Sequence, residues 1–216
     1  MKTSAPKFAV HRAMTISLAV VYGSPAMAEG FDTATAGTQP PGWSCGVTGR
    51  GTPSWAVKAD PEAPSPPNVL LQSGHGDFPW CIKNGATLAD GFVVAKFKPI
   101  SGKEDQAGGL VWRWKDKDHY YVARANALEN NVSLYYVEGG KRRNLKYVDA
   151  RVPQGQWSTL RVEFSAQRIR VVLNDQRLIE FDDAHISGAG KVGVWTKADS
   201  VTAFDDFSFG ETRGPR

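Results

Sequence analysis

An all-β sandwich or barrel is the fold class this sequence predicts, and three observations carry it. From residue 88 onward the chain divides into strand-sized segments rich in β-branched and aromatic residues. Gly, Asn, Asp and Lys mark the joints, as in "KDKDH", "EGGKR", "LNDQR" and "SGAGK". No ten-residue segment carries a helical period, and no internal repeat appears. The 216 residues give room for one domain or two very small ones.

The chain opens with a leader. "MKTSAPKFAVHR" is basic and lacks acids, "AMTISLAVVYG" is an apolar run too short to span a bilayer, and "SPAMA" ends in a small-x-small pattern. That is the pattern of a secretory signal peptide over residues 1–28, cleaved after Ala28, and it predicts a periplasmic or secreted protein. Loss of Lys2, Lys7 and Arg12 takes the basic count from 26 to 23, against 22 acids, so the mature chain carries a net charge near +1. Such a balance gives no argument for a nucleic-acid partner. No other segment is apolar enough to cross a membrane, so no membrane partner is expected after cleavage. Cys45 and Cys81 remain, and in an oxidising compartment they can bridge or stay as two buried thiols.

Residues 29–68 are rich in Gly, Pro, Thr and Ser ("GTQPPGW", "PEAPSPPN") and predict an irregular lead-in packed on the body, with "SWAVKAD" as a short strand. Prolines at 61, 64, 66 and 67 exclude a central strand there. The body follows as "DGFVVAKFKPI", "GGLVWRWK", "HYYVARANA", "NVSLYYVEGG", "RNLKYVDARV", "QWSTLRVEFSA", "RIRVVLND", "QRLIEFDD", "GKVGVWTK" and "VTAFDDFSFG". The domain is predicted over 29–210, with a disordered tail at 211–216.

Successive strand side chains point to opposite faces, so the alternation sorts them. Leu110, Trp112 and Trp114 share one face, and Gly109, Val111 and Arg113 the other. Tyr121, Ala123 and Ala125 oppose Tyr120, Val122, Arg124 and Asn126. Val132, Leu134 and Tyr136 oppose Asn131, Ser133 and Tyr135. The apolar sets, Trp112 and Tyr121 among them, are core. The other sets are unusual for a solvated face, because they mix rings with Arg and Asn where Lys and Glu would be ordinary. Arg113, Arg124, Asn126, Asn131 and Tyr135 are therefore expected to line a polar surface of one sheet. Trp195 and Lys197 share a face opposite Val194 and Thr196, and Trp195 is either a sugar platform or a core ring.

Three stretches carry a resemblance: "PPGWSCGVTGRGTPSWAVKADPEAPSPPNVLLQS", "AGGLVWRWKDKDHYYVARANALENNVSLYYVEGGKR" and "GKVGVWTKADSVTAFDDFSFG". Together they resemble the bacterial exported proteins with a 3-keto-disaccharide hydrolase, or family 16 glycoside hydrolase-like, domain. The resemblance implies a concanavalin A-like jelly-roll sandwich of two antiparallel sheets, one of them concave, with glycans lying on the concave face. Arg and Asn forks suit sugar hydroxyls, and an aromatic ring suits a C–H face.

The resemblance does not extend to the glucanase catalytic strand. Retaining hydrolysis needs two carboxyls about 5–5.5 Å apart, which family 16 enzymes supply from a motif of the form E-x-D-x-(x)-E. The nearest match, Glu180-Phe181-Asp182-Asp183, lacks the second Glu and is expected to be a solvated strand end. A base for keto-sugar chemistry would come from His75, in the loop "SGHGDFPW", or from His119 in the "KDKDHYY" turn. His185 is a third candidate, in a loop after a strand. The histidines have no zinc-ligand spacing. In "FDDF" one of Asp205 and Asp206 points inward and needs a partner; the resemblance implies a structural calcium held by Asp205, with Asp32 as a second ligand. "KRR" at 141–143 follows a Gly-Gly turn and is expected to be solvated.

Two functions follow. One is an exported carbohydrate-binding protein, extending to hydrolysis of a keto-disaccharide or another glycan. The other is a non-catalytic structural or interaction module of the cell envelope. A carboxylate or histidine within hydrogen-bond reach of Arg124 would favour catalysis; a groove of Arg, Asn and rings alone would favour binding.

Overall fold

The computed structural model describes residues 29–212. The leader expected over 1–28 lies outside the described residues, as does most of the tail expected over 211–216.

Among the described residues there is no helix. The strands are β1 (Trp43–Thr52), β2 (Trp55–Ala59), β3 (Asn68–Gln72), β4 (His75–Leu88), β5 (Gly91–Ser101), β6 (Ala107–Asp116) and β7 (His119–Asn126). They continue as β8 (Asn131–Glu138), β9 (Lys141–Asp149), β10 (Ser158–Ser165), β11 (Arg168–Leu173), β12 (Gln176–Asp182), β13 (Gly190–Trp195) and β14 (Val201–Gly210). One seven-stranded sheet runs β1-β4-β13-β6-β7-β8-β9 and a second runs β12-β11-β10-β5-β14-β3-β2. Neighbours such as β6 and β7, or β14 and β5, pair antiparallel. The chain crosses repeatedly between the sheets, which makes the fold a jelly roll.

The core lies between the sheets. Leu110, Trp112, Tyr121, Ala123, Val132 and Leu134 face Val93, Phe97, Leu160, Val162, Phe164 and Phe204. In the second sheet β10 alternates buried and half-buried positions, as a strand with one wet face should. β7 does not: every position after His119 is buried. The outer face of the first sheet is thus shielded although, among the described residues, no third layer covers it.

Curvature explains this. Four strands separate β4 from β9, which in a flat sheet would hold them about 24 Å apart at the usual strand spacing. Yet the Arg142 guanidinium of β9 lies 5.0 Å from the centre of the Phe78 ring of β4. The sheet must curl, and its outer face is a groove. Gly109 assists: a Cβ there would come within 3.2 Å of the Trp195 ring, so glycine lets that ring lie flat on β6.

Two expectations are corrected. The stretch 29–68 is less irregular than expected: besides β2, the short strand expected in "SWAVKAD", it supplies β1, and each is paired in a sheet; the prolines at 61, 64, 66 and 67 do fall in the loop before β3. The alternation through "WRW" also breaks. Arg113 adopts a left-handed φ of 48°, and the β6–β7 register shifts between Trp112 and Asp116. That is a bulge. It turns Arg113 over the core ring Phe164, 5.7 Å away, and puts Trp114 on the outer face with Trp80 and Tyr120.

Among the described residues β9 ends the first sheet and has only β8 beside it. Its Lys141, Arg143, Asn144 and Lys146 are exposed. Cys45 and Cys81 face each other in the β1–β4 register and are joined in a disulfide.

Candidate functional site

The floor of the groove is aromatic. Trp80 meets Trp114 at 4.5 Å between ring centres, and Trp114 stacks on Tyr120 at 4.9 Å. Phe78 stacks on Trp195 at 5.8 Å. Across these rings lies Arg142, whose guanidinium carbon is 4.3 Å from the Tyr135 ring and 5.9 Å from Trp195. Trp195 is wholly buried under these neighbours. It is floor, not a bare platform; half-buried Phe78 and Trp80 are the rings nearer the solvent. Burial pulls the Arg142 guanidinium below its ordinary pKa, and the Tyr120 hydroxyl, bonded to Thr48 at 3.0 Å, is pushed up to about 12 by burial.

One end of the floor is polar. Asp105, fully buried, accepts hydrogen bonds at one oxygen from Arg124 Nη1 (3.2 Å) and Lys197 Nζ (2.8 Å). The other Arg124 nitrogen, Nη2, donates to Glu129 (2.6 Å) and to the Asn131 carbonyl (3.0 Å). Asn131 in turn donates to Glu129 at 2.7 Å. Asn126 works from behind: its side-chain oxygen takes the backbone N–H of Leu128 (2.9 Å), fixing the turn that presents Glu129. Asp199 receives the N–H groups of Lys103, Glu104 and Asp105 and so sets the loop that carries Asp105. Burial would raise the Glu129 carboxyl, but Asn131 and Arg124 hold it below its ordinary value, so it is ionised at neutral pH. Glu129 remains 46% exposed and Lys197 26%, so both reach solvent.

Beside this network an open cleft of about 310 Å³ is lined by His75, Asp77, Phe78, Glu104, Gly140 and Lys197, among others. A larger cavity of about 380 Å³ lies on the second sheet. Its walls are Val69, Leu71, Ile100 and Ala203, and its main polar feature is the closed Lys98–Asp60 pair at 2.7 Å. The first cleft has the convergent polar groups that a binding site needs.

The structure thus gathers Arg124, Asn131, Tyr135, Trp195 and Lys197 on one face, with Asn126 supporting the turn. Arg113 is elsewhere. Its guanidinium donates to the carbonyls of Ile186, Ala89 and Ala166 and caps one end of the core. Asp105, Glu129, Arg142, Phe78, Trp80 and Trp114 join the site without having been expected there, and Tyr120 joins it from the face on which the alternation placed it. Arg142 is the sharpest correction, because it lies within "KRR" and is half-buried, whereas Lys141 and Arg143 are exposed.

Among the histidines, His75 stands at the cleft mouth, 3.7 Å from Glu104 and 60% exposed. His119 opens β7 just after the turn, half-exposed and bonded to Asp116 at 2.9 Å. His185, itself exposed, borders a network of the buried Asp183 and Tyr121 away from the groove. Asp183, expected at a solvated strand end, is buried and accepts from the Tyr121 hydroxyl, the His185 backbone N–H (3.0 Å) and the His185 ring (2.8 Å). Burial would raise its carboxyl, yet these donors hold it below the ordinary value of 3.8. The stabilisation is therefore complete above pH 3.8 and lost as pH falls through the lower, folded value. In thermal melts between about pH 6 and pH 2, the Asp183→Asn variant will melt below the native chain at the upper end, and the gap will narrow toward the lower end. A gap constant with pH would mean that the carboxylate charge contributes nothing.

A calcium at Asp205 does not fit. Its oxygens receive Ser65 N (2.8 Å), Ser65 Oγ (3.0 Å) and Asp206 N (2.8 Å), which are donors where a cation would stand. Asp32 is engaged by Asn68 N at 3.1 Å. Among the described residues no group of three or more His, Cys, Asp or Glu is placed to hold a metal ion.

The model of a family described as "3-keto-alpha-glucoside-1,2-lyase-like domain" matches residues 93–208. No curated protein matches the chain. Solved structures share the fold. The carbohydrate binding module CBM66 from Bacillus subtilis aligns with a TM-score of 0.64 at 20% identity, over 79% of this chain and 96% of that one. A Bacillus licheniformis beta-glucanase aligns at 0.56 and 12% identity, over 87% and 98%. The cellulose induced protein Cip1 aligns at 0.58 and 14% identity, over 81% and 93%. These likenesses make the sandwich a concanavalin A-like jelly roll.

Proposed function

Because the chain belongs to the 3-keto-alpha-glucoside-1,2-lyase-like domain family, we propose that it is an exported protein that binds a carbohydrate in the concave groove of the first sheet. One observation carries the reading: an outward sheet face holds the Arg124–Glu129–Asn131 network beside a floor of rings, with Lys197 and Glu129 reaching solvent. Vicinal hydroxyls match such forks of donors and acceptors, and the C–H face of a pyranose matches Phe78 and Trp80. The names of two neighbours of this fold, a carbohydrate binding module and a glucanase, agree with the proposal. Export rests on the leader sequence and is consistent with the Cys45–Cys81 bridge, which persists in an oxidising compartment.

A catalytic reading is favoured by Glu129, an ionised carboxylate that touches Arg124 and is open to solvent. A 1,2-elimination from a 3-keto glucoside removes the proton on C2 and breaks the bond from C1 to the leaving oxygen. Glu129 would take that proton, and Arg124 would stabilise the negative charge that develops on the C3 oxygen; as the C3 carbonyl re-forms, the C1–C2 double bond forms and the leaving oxygen departs with a proton from water.

The test is to titrate the chain from Glu29 onward with oligosaccharides that include 3-keto-disaccharides, following tryptophan fluorescence and product chromatography together. Arg124→Ala is expected to weaken binding on the order of tenfold or more, and Lys141→Ala to leave it unchanged. Glu129→Gln should keep binding and abolish product if the groove is catalytic. Saturable binding without product in the native chain would sink the catalytic reading. No binding across the panel would sink the carbohydrate reading.

A further inference from the structure

We infer that the sugar held in this groove carries a carboxylate, and that Arg142 is the residue that takes it. The inference rests on the carbohydrate reading above and narrows its substrate class to acidic glycans.

The charges of the groove do not close. Arg124, Arg142 and Lys197 are cations, and Asp105 and Glu129 are the carboxylates bonded among them. Both carboxylates are committed to Arg124 and Lys197, which leaves Arg142 over. Its surroundings are rings, with Tyr135 at 4.3 Å, Phe78 at 5.0 Å and Trp195 at 5.9 Å. Rings engage the flat face of a guanidinium, whereas its hydrogen bonds leave through the edge. That edge is unsatisfied: Arg142 Nη1 is buried and has no acceptor among the described residues.

A half-buried guanidinium with one enclosed and unpartnered nitrogen carries a desolvation cost. Sequence position does not require it, because Lys141 and Arg143, its neighbours on β9, stand in water. A neutral hydroxyl would satisfy the N–H but leave the charge. A carboxylate satisfies both and matches the planar fork in two parallel bonds. The acids of the cleft mouth, Asp77 and Glu104, stand in solvent, where water and salt screen them.

The experiment compares three ligands of one linkage by calorimetric titration of the chain from Glu29 onward: a uronic-acid disaccharide, its methyl ester, and the neutral disaccharide. The acid is expected to bind on the order of tenfold tighter than its ester. Arg142→Ala should erase that preference while leaving weak binding of the neutral sugar, Arg142→Lys should restore part of it, and Lys141→Ala should change nothing. The native chain alone decides the matter if a variant fails to fold. Acid and ester binding equally would overturn the inference and leave the carbohydrate reading standing. An acid preference that survives in Arg142→Ala would overturn the assignment to this residue. Binding of none of the three, together with none of the wider panel, would remove the carbohydrate reading and this inference with it.

Discussion

Asp105→Ala is expected to destabilise the fold by about 3–5 kcal/mol, the range for breaking a buried ion pair from one side. Asp105 is wholly buried and holds both Arg124 and Lys197. When it goes, Lys197 can swing into water, since a quarter of its side chain is exposed already. Arg124, almost fully enclosed, cannot. Glu129 still pairs with the second Arg124 nitrogen, which favours the lower end of the range. Urea denaturation at neutral pH measures the loss. The double variant Asp105→Leu with Arg124→Met should recover much of it, because an apolar pair leaves no orphaned charge. A single variant within about 0.5 kcal/mol of the native chain would show the pair to be solvated in practice.

The second large effect belongs to the core. Trp112 stacks on Tyr121 at 5.3 Å between ring centres and reaches Phe164 at 6.1 Å, so it joins the two sheets. Trp112→Ala is expected to lose about 3–5 kcal/mol, a large part of the stability of an ordinary domain. Trp112→Phe should lose much less. The indole N–H has no acceptor among the described residues, so phenylalanine gives up ring area but also removes an unsatisfied donor. Equal losses in the two variants would mean that the indole N–H contributes through a partner.

The groove was legible where strands are regular. β7 and β8 pair without a register shift between them, so counting by twos placed Tyr120, Val122 and Arg124 with Ser133 and Tyr135 on one face. At Arg113 counting by twos failed. "WRW" is a clean alternation, and nothing in those letters announces a left-handed residue that advances the strand by one. Arg142 was hidden differently: after "EGG" three cations look like a turn, and only its partner across the hairpin, Val137, shows which way it points. Asp105 and Asp183 sit in a loop and at a strand end, where a carboxylate is ordinarily wet. Their burial depends on partners many positions away in the chain, Lys197 for one and Tyr121 for the other. β1 and β4 were obscured by their glycines and by Pro79, which lower strand propensity although neighbouring strands hold them in place.

The open side of β9 has a further consequence. An unpaired strand edge is a template on which another chain can add itself. Here a second β9 added parallel and in register would bring Lys141, Arg143 and Lys146 against their own kind, and like charges facing across a ladder repel. The same short strand that sends Arg142 into the groove therefore turns toward the solvent a cationic fringe that discourages fibre-like stacking of one copy on the next.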